Sequence, residues 1–157
     1  MKVSLLVIGR TEESYLKEGI REYEARVKRY ADFSIREIPA IRDAKSMPAA
    51  EQKKREAVLL EKHIGAGDIV VLLDEHGRET GSVQFADFLN RQFNTGRKAM
   101  VFVVGGPYGF DPSLTRRADH ILSLSQMTFS HQMVRLIFTE QLYRAFTILR
   151  NESYHHE

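Results

Sequence analysis

The chain has 157 residues, 43% of them hydrophobic and 28% charged, with a formal net charge of only +2. That length supports one domain with a substantial core and is too short for two ordinary ones, and the composition excludes a disordered chain. Without a cysteine, disulfides and thiolate metal sites are excluded as well, as expected of a cytoplasmic protein. No apolar run approaches the roughly 20 residues of a membrane span, so no membrane partner is expected.

Lys2–Ile8 is a near-continuous apolar run, read as a first strand covered on both faces. Thr11 is the expected cap of a helix whose apolar stripe is Tyr15, Leu16, Ile20, Tyr23, Val27 and Tyr30. Phe33–Ile38 alternates apolar and polar residues and ends at Pro39, giving a second strand. A polar loop spans 40–47, and Pro48 opens a helix to about His63, stopped by Gly65 and Gly67. Ile69–Leu73 is a third buried strand, with Asp74-Glu75-His76-Gly77 as the loop at its carboxyl end. Ser82 caps a helix ending near Phe93, and Lys98–Val104 is the fourth strand. Asp111-Pro112 reads as a cap followed by proline at the first helical position, starting a short helix to about Ala118. Ile121–Leu124 is the fifth strand, and His131–Arg150 the closing helix. Strand and helix alternate throughout, so the sequence predicts an α/β fold in a single domain over 1–157, with a mostly parallel sheet and helices on both faces.

Two loops carry the chemistry. Gly105-Gly106-Pro107-Tyr108-Gly109 follows the fourth strand, and Leu124-Ser125-Gln126-Met127-Thr128-Phe129 follows the fifth. The first is neither a P-loop nor the spaced glycine motif of dinucleotide binding. It is either a tight turn or a place where a ligand approaches the backbone. The second offers main-chain groups, the hydroxyls of Ser125 and Thr128, and the apolar Met127 and Phe129, a mixture that suits an adenosine-containing ligand. There is no nucleophile elbow and no acidic cluster, and His155-His156 lacks a carboxylate at ligand spacing, so no metal is expected. Such a chain suits a reaction whose reactive group arrives on a cofactor. Basic residues gather at Arg21, Arg26, Lys28 and Arg29, and again at Arg42, Lys45, Lys53, Lys54 and Arg55. They are either solvated helix faces or a phosphate-facing patch.

Val103-Val104-Gly105-Gly106-Pro107-Tyr108-Gly109, the run Leu124–Arg135, Glu140-Gln141-Leu142-Tyr143-Arg144-Ala145 and Tyr154-His155 together resemble the bacterial ribosomal large subunit methyltransferase H family, a branch of the SPOUT methyltransferases. The opening strand, Pro39 and Leu72-Leu73-Asp74 extend the resemblance over the whole chain. It implies a C-terminal trefoil knot, which periodicity does not reveal, and a homodimer binding S-adenosylmethionine (S-adenosyl-L-methionine) in the knot. The implied reaction is methylation of N3 of a pseudouridine in 23S rRNA of the assembled ribosome. The cofactor positions carried over are Leu73, Gly105, Leu124, Ser125, Gln126, Met127, Thr128 and Phe129. His131, Arg135, Tyr154 and His155 are the candidate catalytic groups. His131 can instead cap or pack, and Tyr154 with His155 can be a frayed tail unless a dimer brings one tail to the other subunit's cofactor. Ser130 stands where the family often has proline. The rival readings are a non-catalytic RNA-binding module and a methyltransferase of the same fold acting on tRNA.

Overall fold

The computed structural model describes residues Met1–Glu157. Its five strands are β1 (Lys2–Ile8), β2 (Asp32–Ile38), β3 (Ile69–Glu79), β4 (Ala99–Val104) and β5 (His120–Ser123). They form one sheet in the order β2-β1-β4-β3-β5, and every pairing is parallel. The helices are α1 (Ser14–Val27), α2 (Ala49–Glu61), α3 (Ser82–Phe93), α4 (Pro112–Arg117) and α5 (Met133–Leu149).

Side chains of a strand point alternately to its two faces, so two separate cores form. One holds Val3, Leu5, Val7, Val71 and Phe102 from the strands, with Phe85 and Leu89 of α3 and Phe138 and Leu142 of α5. The other holds Leu6, Val70, Leu72 and Val103, with Ala57 and Leu60 of α2 and Leu114 of α4. Phe102 is fully buried between the rings of Phe85 and Phe138, at centroid distances of 6.2 and 4.8 Å. Helices cover both faces, as the strand–helix alternation predicts.

Several boundaries differ from the sequence reading, each for a local reason. Thr11 does not cap α1, which begins at Ser14 with Glu13 in the N-cap position. Thr11 is buried instead, and its hydroxyl accepts a bond from Arg135. Tyr15, placed in the apolar stripe by spacing, is 60% exposed. Pro48 precedes α2 rather than occupying its first turn. Gly81, not Ser82, precedes α3, and Gln84 reaches back to accept the Gly81 amide at 3.1 Å. The cap at Asp111 is as expected: its carboxylate accepts the Ser113 amide at 3.0 Å, and the Ser113 hydroxyl followed by that amide holds its pKa below the usual carboxylate range.

The largest departure is at the end of β3. Asp74-Glu75-His76-Gly77 is not a loop but part of an 11-residue strand. The pairing with β5 shifts register between Leu73 and Arg78, so these four residues bulge while the strand continues past them. A Cβ on Gly77 would lie 2.8 Å from the backbone of Ile121 and Leu122, so the bulge needs glycine where the two backbones meet.

Candidate active site

The order β4-β3-β5 sets the loops after β4 and β5 on either side of the β3 bulge. Together they wall a cleft of about 550 Å³ at the carboxyl ends of the strands, where open α/β sheets bind ligands. Leu73, Gly105, Leu124, Ser125, Met127, Thr128 and Phe129 line it, together with His131. Of the residues proposed for cofactor contact, Gln126 alone lies outside this lining, because its side chain turns away to donate to Glu79 at 3.0 Å. The sequence reading missed Asp74, Glu75 and His76, which the bulge turns into the cleft, as well as Phe110 and Val134. A glycine four residues past the last buried position of the third strand is the only signal that could have exposed the bulge.

The geometry of both loops keeps main-chain groups open. The backbone amides of Leu124, Thr128 and Phe129 have no backbone acceptor. Ser125 organises its own loop: its carbonyl accepts the Ser123 hydroxyl at 2.8 Å, and its hydroxyl accepts the Met127 amide at 2.9 Å. Thr128 is tied across the cleft mouth to the Glu75 carboxylate. Opposite, a Cβ on Gly105 would crowd Gly109 at 3.1 Å and the Phe110 ring at 3.2 Å. Gly109 adopts φ +82°, the left-handed region that favours glycine, and closes the turn through its bond to the Gly106 carbonyl. Met127 and Tyr108 are 77% and 55% exposed at the cleft edge, so apolar surface is available to cover a planar ring. The site is built from backbone donors and apolar walls, with carboxylates on one side.

The four candidate catalytic groups part company. His131 is exposed and lines the cleft. Arg135 is buried and does not line this cleft. Its guanidinium donates to the carbonyls of Ile8 at 2.8 Å, Gly9 at 2.9 Å and His131 at 3.0 Å, and to the Thr11 hydroxyl at 3.0 Å. Burial lowers its pKa from the usual arginine value. Tyr154 and His155 sit on the α1–α5 seam, away from the cleft lining. The Tyr154 hydroxyl donates to Glu140 at 2.8 Å, its ring packs on Tyr143, and burial followed by the bonds to Tyr23 and Glu140 raises its pKa far above the ordinary phenol value. His155 meets Arg144 at 3.1 Å, and Arg144 is paired with Glu140 at 2.6 Å. The tail is anchored rather than frayed.

Of the basic clusters, Arg26, Lys28 and Arg55 pair with carboxylates one turn earlier on their own helices, the arrangement of a solvated helix face. Arg42, Lys45, Lys53 and Lys54 make no ion pair. No helix is long and apolar enough to cross a membrane.

The "Predicted SPOUT methyltransferase" family model matches residues 1–155. The chain is 50% identical over 157 residues to the ribosomal RNA large subunit methyltransferase H of Parabacteroides distasonis, covering 100% of each chain. It is 49% identical to the protein of that name from Bacteroides thetaiotaomicron, again over 100% of each, and 47% identical to that of Christiangramia forsetii over 99% of each. A crystal structure of the SpoU methyltransferase AviRb from Streptomyces viridochromogenes in complex with AdoMet overlays with a TM-score of 0.48 at 14% identity, covering 96% of this chain and 59% of that one. Matched along its length by the family model and by these relatives, the chain belongs to the SPOUT methyltransferases and, among them, to the ribosomal RNA large subunit methyltransferase H family.

Proposed function

We propose that this protein methylates N3 of a pseudouridine in 23S rRNA of the assembled ribosome, using S-adenosylmethionine and acting as a cytoplasmic homodimer. The observation that carries the reading is the cleft between the glycine loop and the Leu124–Phe129 loop. Unpaired amides there suit the edge of an adenine, and exposed Met127 with half-buried Phe129 suits its faces. The cleft volume of about 550 Å³ is in the range that holds a ligand of this size. Family membership supports the substrate class, since the relatives are named for large-subunit ribosomal RNA. The C-terminal knot belongs to the same proposal; the closeness of the two loops on either side of β3 is what supports it.

Leu73, Gly105 and the Leu124–Phe129 loop hold the cofactor in this reading. Bound there, it supplies an activated methyl, so the chain itself needs neither a covalent nucleophile nor a metal. What remains for the protein is orientation and the proton released from N3. His131 is the side chain placed to receive that proton, because it is the one candidate that lines the cleft. Arg135 acts as a positioning residue, holding the start of α5 against the end of β1. Tyr154 and His155 reach a cleft only from the partner subunit.

Calorimetric titration with S-adenosylmethionine tests the assignment. The wild type is expected to show saturable binding and Gly105→Val to lose it, because a side chain at that position collides with Gly109 and Phe110. Equal affinity in both proteins would remove the cofactor from the glycine loop.

A further inference from the structure

A second cleft, of about 1040 Å³, opens beside the first at the carboxyl ends of β1 and β2. Gly106, Pro107 and His131 form a wall common to both. Beneath that wall, α2 turns Gln52 and Glu56 inward, two polar residues one turn apart, which are 6% and 3% exposed. Both line the second cleft. Gln52 donates to Glu56 Oε2 at 3.4 Å, and Glu56 Oε1 has no partner at all. The carboxyl lies so close to Gly106 that a Cβ there would collide with it. A buried polar group without a partner is costly, and a helix face packed on a core would ordinarily carry apolar residues at these positions. At the mouth of the same cleft, Arg10, Lys17 and Lys45 are exposed and make no ion pair.

We infer that this second cleft receives the acceptor nucleotide of the RNA, with its phosphates on Arg10, Lys17 and Lys45 and its base edge against the Glu56–Gln52 pair. The inference rests on the methyltransferase reading above. Burial holds the Glu56 carboxyl above the usual carboxylate range, its Oε1 has no partner, and the Gln52 amide beside it has a second N–H to give, so the cleft is offered an acceptor next to a donor. That pair complements an N–H beside a C=O; on a pseudouridine the N1–H and C2=O edge offers this and leaves N3, the atom to be methylated, uncovered. A nucleotide taken out of its stack is commonly read through a base edge. The shared wall sets the base next to the cofactor cleft, with His131 facing both sides. A base in the cleft supplies the partner that Glu56 lacks in the protein alone. The rim lysines and arginine add salt-dependent affinity without reading sequence.

The test uses the full-length protein, S-adenosylmethionine and ribosomes lacking the methyl group. Glu56→Ala is expected to lower kcat/KM on ribosomes by roughly tenfold or more, the loss of a hydrogen-bonded base contact, while the calorimetric affinity for S-adenosylmethionine stays within about twofold. Glu56→Gln keeps an acceptor oxygen at that position and is expected to restore most of the turnover. The double variant Lys17→Ala/Lys45→Ala is expected to raise KM and flatten its salt dependence with kcat retained. Full turnover by Glu56→Ala overturns the inference, and so does a fall in cofactor affinity that matches the fall in activity, which would make Glu56 a support for the glycine loop alone. A wild-type protein that neither binds the cofactor nor methylates ribosomes overturns this inference together with the reading beneath it.

Discussion

Arg135 commits all three guanidinium nitrogens to partners at the end of β1, the Ile8 and Gly9 carbonyls and the Thr11 hydroxyl, and to the His131 carbonyl at the entry to its own helix. These bonds tie the end of one strand to the entry of a distant helix, so Arg135 is a fastening between β1 and α5. A buried acceptor left without its donor costs about 1–3 kcal/mol. Arg135→Met removes donors from three carbonyls while keeping the aliphatic stem, so it is expected to lower unfolding stability in urea by at least about 2 kcal/mol. Arg135→Lys should recover little, since a single ammonium cannot match a planar fork that reaches several acceptors. A loss of methylation without a measurable loss of stability would return Arg135 to the chemistry. His131 depends on the same fastening, because the bond from Arg135 holds the backbone that aims it.

The bulge in β3 makes the corresponding argument for an element. Asp74, Glu75 and His76 face the cleft beside the glycine loop only because the chain kinks between Leu73 and Arg78 and then resumes its pairing with β5. Gly77 permits that kink, since a Cβ would sit 2.8 Å from the β5 backbone. Gly77→Ala is therefore expected to cost about 1–3 kcal/mol, the range for overpacking a filled site, with a lower melting temperature and weaker binding of S-adenosylmethionine. Gly67→Ala is the control: it has nothing within 4 Å of the added methyl and does not need the left-handed region, so both readouts should stay at wild-type values. If Gly77→Ala behaves like that control, the bulge does not shape the cleft. The regular parts of the fold were legible because burial imposes a period: β1 was placed residue for residue, and so was the Asp111-Pro112 start of α4. The bulge was not legible, because Asp-Glu-His-Gly has the composition of a turn and only the β5 backbone, far away in sequence, converts it to strand. Thr11 misled in the same manner, since a threonine ahead of a helix is a good cap unless a distant arginine claims its hydroxyl. The inward turn of Gln52 and Glu56 was equally hidden, as polar residues on a charged helix read as solvent-facing.

For the whole molecule, the open matter is how a tail fixed on the α1–α5 seam takes part in chemistry at the far end of the sheet. Within one protomer Tyr154 and His155 are held by Glu140 and Arg144, and no residue beyond Val134 lines either cleft. A catalytic role for the tail therefore requires a second copy whose cleft lies against that seam. A two-fold dimer then holds two composite sites, each with a cleft from one subunit and a tail from the other. This arrangement gives a complementation test. Gly105→Val removes the cleft and keeps the tail, whereas Tyr154→Phe/His155→Ala removes the tail groups and keeps the cleft. Each variant alone is expected to be inactive. Co-expressed in equal amounts, they should form mixed dimers in about half of the population, each with one complete site, and recover about a quarter of wild-type turnover. If cleft and tail instead served within one protomer, every site in a mixed dimer would carry one defect and the mixture would stay inactive. Full turnover by the tail variant alone would remove the tail from the chemistry and leave it the structural role seen in the protomer, bracing α5 through Glu140 and Arg144.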